Sequence, residues 1–151
     1  MNHQDQNLKI EKFCIDDLMD ELYHYTKKEL QNRGKLNVGV EILKYSDDEK
    51  CWVQTDRLRL RQIFTSLLDK AIKFTDMGYI FFGYHKSINN HFRFFVDDTG
   101  TGIYNDADLD LSIARGLVQM MGGKMEIRPS NDAGISVNFN IVCEKRDIFE
   151  N

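Results

Sequence analysis

"RLRLRQIFTSLLDKAIKFTDMG", residues 57 to 78, reads as one helix and its exit, and the rest of the chain is best read outward from it. Leu60, Ile63, Leu67, Ala71 and Phe74 recur at helical steps, and Phe74 reads as core. Asp56, just before them, is a helix-start residue. Gly78 then opens a hairpin with a strand over 79–86, a turn at Asn89-Asn90 and a strand over 91–97. Upstream, Leu18, Leu22, Tyr25 or Thr26, and Leu30 predict a helix from Ile15 to about Arg33, with Asp16 as its cap and Gly34 as its stop. Leu36, Val38, Val40 and Ile42 alternate as in a half-buried strand. Asp47-Asp48-Glu49 makes a turn, and Cys51-Trp52-Val53 a short strand. Downstream, a third helix covers roughly 109–121 and stops at Gly122-Gly123, and strands follow over 124–128 and 135–142. The polar start, residues 1–9, reads as a frayed tail.

The order β-α-β-β-α-β-β-α-β-β predicts a two-layer α/β sandwich, one mixed, mostly antiparallel sheet with three helices on one face. With 151 residues, no repeat and no internal linker, the chain reads as a single domain over 1–151. Its 42% hydrophobic and 29% charged content is that of a globular protein, and a net charge of −4 gives no reason to expect nucleic acid or an acidic membrane as partner. Cys14, Cys51 and Cys143 are odd in number and in no metal-ligand spacing, and read as reduced packing thiols of a cytosolic protein. There is no leader pattern and no apolar run of membrane-spanning length.

The chemistry-bearing stretch is "VDDTGTGI", residues 96–103. Asp98 ends a strand, and Gly100 and Gly102 follow at once. Glycine allows close approach of peptide groups to a flat ligand, and a strand-end carboxylate can accept a hydrogen bond from an amino group. Alone, D-x-G-x-G is a weak signal, and an Asx-capped turn explains it as well.

Taken with "RLRLRQIFTSLLDKAIKFTDMG" (57–78), "LSIARGLVQMMGGKMEI" (111–127) and "GISVNFNI" (134–141), the stretch resembles the ATP-binding domain of two-component sensor histidine kinases. This is the superfamily shared with gyrase, Hsp90 and MutL ATPases. The opening "KIEKFCIDDLMDEL" resembles the family's first strand and helix, so the likeness covers nearly the whole chain. The resemblance implies that Asp98 recognises adenine, that Gly100, Gly102 and Ile103 belong to the same box, and that Lys73 faces phosphate. It places Ser66 and Lys70 where the family carries two asparagines, and Leu111 in the box that opens the third helix. An open pocket is expected beside Asp98, floored by strand 91–97 and the helix of Lys73.

The departures lie on the metal and phosphate side. Lys70 stands where the family's second asparagine gives Mg²⁺ an oxygen ligand, and an ammonium group has no lone pair for a divalent cation. Lys70 either places its own charge at that position or swings into solvent. Only about eight residues separate Ile103 from Leu111, where the family has a long lid. Asp106, Asp108 and Asp110 fall where glycines should let backbone N–H groups surround the phosphates, and acidic groups there satisfy a helix N-terminus and oppose an anion. The last glycine box keeps Gly134 but has Asp132 as its companion.

Two functions of different class follow. One is a degenerate module of a sensor histidine kinase that binds ATP or ADP weakly, with little place for Mg²⁺, and acts through contacts with a dimeric phosphoacceptor helical domain and a receiver domain. The other is a competent Mg-ATP-binding kinase domain that phosphorylates a histidine on a dimerisation domain absent from this chain. None of His3, His24, His85 or His91 lies in an acceptor context. Lys70 and the acidic run favour the first. A chaperone or DNA-repair ATPase fits less well, because there is no basic surface run. The resemblance implies a cytoplasmic location, including as the cytoplasmic part of a membrane-bound sensor.

Overall fold

The computed structural model describes residues 8–44, 50–89, 91–100, 109–129 and 134–146. Its elements are β1 (Glu11–Cys14), α1 (Ile15–Asn32), β2 (Val38–Leu43), β3 (Trp52–Thr55), α2 (Arg57–Phe74), β4 (Gly78–Ile88), β5 (His91–Asp98), α3 (Leu109–Met120), β6 (Met125–Pro129), β7 (Ile135–Val142) and β8 (Glu144–Arg146). The expected mixed sheet is five-stranded, in the order β2-β4-β5-β7-β6. Only the β2–β4 pair is parallel, with Val38 opposite Gly78; the other pairs are antiparallel. A small antiparallel sheet, β1-β3-β8, is additional to it. The sequence pattern does not signal β8, because three residues reading Glu-Lys-Arg carry no apolar alternation.

Alternation along β4, β5 and β7 sends Ile80, Phe82, Tyr84, Phe92, Phe94, Val96, Val137, Phe139 and Ile141 to one face, where all are buried. The helices cover that face. Phe64 of α2 meets Phe94 and Phe139 edge-on, with ring centroids 5.6 and 5.3 Å apart, which fixes α2 over the middle of the sheet. Asp56 caps α2 as expected, accepting from the Arg59 N–H at 3.0 Å. It also accepts from the Lys9 N–H at 2.8 Å, so the end of the supposed tail is held; Leu8 packs on the core. Gly34 and Gly122, which follow α1 and α3, have φ of +69° and +83°, as glycine stops require.

Asp16 is not the cap of α1. The N-cap is Cys14, without a side-chain hydrogen bond, and Asp16 lies buried inside the first turn. Its carboxylate accepts from the Cys51 N–H and from the Tyr84 hydroxyl, both at 2.6 Å. It therefore ties α1 to β4 and to the residue just before β3. The three cysteines are buried and none is in a disulfide, and burial raises the Cys143 thiol well above its ordinary range. Among the described residues no helix is long and apolar enough to cross a membrane.

Candidate functional site

Two elements converge on the strand-end carboxylate. β5 delivers Asp98, paired with Ile80 on one side and Ile135 on the other. α2 delivers its exit, Phe74 to Gly78. Asp98 is 2% exposed, and its Oδ1 accepts from the Gly100 N–H at 2.8 Å. The turn is thus the Asx type that the stretch suggests when taken alone, built into a larger assembly. Thr99 fastens it to the start of β4: its N–H donates to Tyr79 O at 3.2 Å, and its hydroxyl accepts from the Tyr79 N–H at 3.1 Å.

Backbone proximity explains the glycines. A Cβ on Gly100 would lie 2.3 Å from Phe74 O and 2.8 Å from Thr75 Oγ1. One on Gly134 would lie 1.6 Å from Asp98 O and 2.7 Å from Thr99 Cα. Both positions demand hydrogen in place of a side chain, and Gly134 of the last box therefore packs directly on the aspartate. The expected open pocket finds Asp98 buried rather than lining an accessible floor, and what lies toward 101–108 is outside the described residues. Gly102, Ile103, Asp106, Asp108 and Asp132 fall outside them too, as does the side chain of Asp110.

On α2, Ser66 is half-buried one turn before Lys70. Lys70 is only 8% exposed, so it does not swing into solvent. Its Nζ stands 5.8 Å from the centroid of the Phe74 ring, and the Nζ of exposed Lys73 stands 5.5 Å from the same ring. Phe74 is half-buried, so it is a platform for two cations rather than plain core. Leu111 is buried in the core cluster with Ala114 and Val118.

Asp69, beside Lys70, is turned the other way. It accepts from the Tyr25 hydroxyl of α1 at 2.5 Å, and burial, reinforced by this bond, pushes the Tyr25 phenol upward. Among the described residues no group of three or more His, Cys, Asp or Glu could hold a metal ion. Lys70 itself offers no lone pair to a divalent cation at the position where the resemblance implies an oxygen ligand.

Sequence reasoning missed two groups here. Lys35 donates to Ile72 O at 2.6 Å and Lys73 O at 3.0 Å and pairs with Asp76 at 3.0 Å, capping the C-terminus of α2 from outside. Nothing in its local sequence signals this. Thr75 is fully buried, and its Oγ1 has no hydrogen-bond partner among the described residues.

Residues 55–145 match the family described as histidine kinase-, DNA gyrase B-, and HSP90-like ATPase. The chain belongs to that family. It is similar to the sensory/regulatory protein RpfC of Xanthomonas campestris pv. campestris, 28% identical over 132 residues, covering 69% of this chain and 18% of that protein. It is similar also to the autoinducer 2 sensor kinase/phosphatase LuxQ of Vibrio harveyi, 27% identical over 139 residues, covering 74% of this chain and 16% of LuxQ. The chain thus spans less than a fifth of the length of these relatives. Among solved structures, the catalytic domain of histidine kinase ThkA superposes with a TM-score of 0.74 at 23% identity, covering 89% of this chain and 97% of that one. The fold is that of the histidine kinase ATPases, and the chain is an ATP-binding domain of the sensor histidine kinase type.

Proposed function

We propose that this ATPase-family domain serves two-component signalling as a module that holds adenine nucleotide without a metal and is weak or silent in phosphoryl transfer. The observation that carries this reading is Lys70, buried beside Phe74 where an oxygen ligand would be needed.

The base side suits a nucleotide. A buried carboxylate at a strand end accepts a hydrogen bond from an exocyclic amino group, and the tight packing at Gly100 and Gly134 holds that carboxylate rigidly. Lys73, exposed at the end of α2, offers charge to phosphate. Bound ATP supplies a transferable γ-phosphoryl group; the residues of this chain bind and orient. The partners fitting such a module are a dimeric helical domain that carries the acceptor histidine and a receiver domain, on the cytoplasmic side of a sensor.

Calorimetric titration of the parent chain and K70N with ATP and ADP, with and without Mg²⁺, tests the reading. The parent should bind both nucleotides with affinity that Mg²⁺ leaves unchanged, and K70N should acquire Mg²⁺ dependence. A strong gain in ATP affinity on adding Mg²⁺ to the parent would refute the metal-free reading. The competent-kinase reading would then stand in its place.

A further inference from the structure

A buried hydroxyl without a partner is costly, and a site that keeps one calls for a reason. Thr75 is the residue just past α2, and its N–H donates to Ala71 O at 3.0 Å, so its backbone is fixed. Its side chain is directed at the glycine loop: a Cβ on Gly100 would lie 2.8 Å from Thr75 Oγ1. The Gly100 N–H is itself bound to Asp98 Oδ1 at 2.8 Å. The hydroxyl from α2 and the carboxylate from β5 therefore meet at one residue.

Packing alone does not explain a threonine there. Valine has the same branched shape, fills the same volume and leaves no hydroxyl unsatisfied. What threonine adds is a donor beside an acceptor. Adenine presents the complementary edge, an amino donor next to a ring-nitrogen acceptor, whereas a base with a carbonyl and a ring N–H there presents the opposite order.

We infer that the Thr75 hydroxyl is a second polar contact of the base subsite, donating to the ring nitrogen beside the amino group that Asp98 takes. This rests on the nucleotide-binding reading above and adds a specificity-determining residue to it.

The test is a cycle between the protein and the base. The parent, T75V and T75S are titrated with ADP and with an ADP analogue carrying C–H in place of that ring nitrogen, and each ligand-free protein is melted. T75V should bind ADP about tenfold more weakly, the loss expected for one hydrogen bond that leaves a buried group unpaired. T75S should bind ADP as the parent does. The analogue should bind the parent and T75V equally, and ligand-free T75V should melt no lower than the parent.

Parent-like ADP binding by T75V overturns the inference. So does an equal loss with both ligands. A melting point lowered in T75V and restored in T75S would give the hydroxyl a protein partner, also overturning it. If the parent binds neither ADP nor ATP, the nucleotide reading itself falls and takes this inference with it. A defect missing only from the T75V comparison removes the inference alone.

Discussion

Replacing Gly134 with alanine tests whether the last glycine box is a spacer for Asp98. The added Cβ would stand 1.6 Å from Asp98 O, 2.5 Å from its carbonyl carbon and 2.7 Å from Thr99 Cα. An ordinary C···O contact is about 3.3–3.6 Å, so one backbone must move by roughly 2 Å. No rotamer can relieve the clash, because every atom met is main chain. The neighbouring pair, Asp98 with Ile135, is a registered rung of the sheet, so the strain falls on the β5–β7 ladder. Overpacking costs about 1–3 kcal/mol, and an immovable neighbour puts G134A at the upper end. For a domain of this size, about 3 kcal/mol lowers the melting temperature by roughly 6–12 °C. Gly116 is the control: a Cβ there meets nothing within 4 Å, and it sits inside α3. G116A should raise stability by about 0.5–1 kcal/mol through helix propensity. Melting both variants and then titrating them with ADP measures the two effects side by side. G134A that melts with the parent and binds ADP as well would refute the spacer argument.

Y84F removes one donor from the buried Asp16 carboxylate and should cost about 1.5–3 kcal/mol in urea unfolding; a loss below experimental error would mean the network is idle. K35M loses its hydrogen bonds to two α2 carbonyls and its pairing with Asp76, and should speed amide exchange at residues 72–76 while leaving the middle of α2 protected. Uniform exchange along α2 would count against the capping role. Asp97 lies on the helix-free face of β5; burial raises its carboxyl titration, partly offset by the Ser136 hydroxyl that donates to it at 2.5 Å. A raised carboxyl pKa favours the protonated form in the folded state. That contribution is full below the unfolded value and declines as pH rises through the shifted one. D97N, which keeps an acceptor for Ser136, should gain on the parent as pH rises from about 3 to 7; a constant difference across that range would contradict the assignment.

Local pattern carried far in this chain. The stripe of Leu60, Ile63, Leu67 and Ala71, with Asp56 before it, is enough to place α2, because helix period and capping are properties of neighbours. The alternation over 135–142 places β7 to the residue. Asp16 shows the limit. As a short acidic residue near a helix start it reads as a cap, yet its partners are 35 and 68 residues away, and no local rule reaches them. The same holds for Lys35, whose partners lie 37 and 38 residues on. At the site, Asp98 and Gly100 are legible because a motif is contiguous. Thr75 is not, since "AIKFT" gives no hint that its hydroxyl is buried against the glycine loop.

The two lysines on α2 give the proposed function its physical content. Mg²⁺ brings two positive charges to a nucleotide and, by binding oxygens of neighbouring phosphates, also holds them in a fixed relation. Lys70 and Lys73 bring two charges to the same helix face, gathered on the Phe74 ring. They can supply the attraction without the geometry. An ammonium group is a point charge on a flexible stem, and it neither bridges two phosphate oxygens nor draws electrons from a leaving group as a metal does. Burial sharpens the contrast for Lys70, whose charge works in a poorly screened setting, whereas exposed Lys73 acts through solvent. Such a site can retain a nucleotide while failing to move its phosphoryl group. On the proposed reading, binding and catalysis would separate because charge is replaceable by lysine and coordination is not.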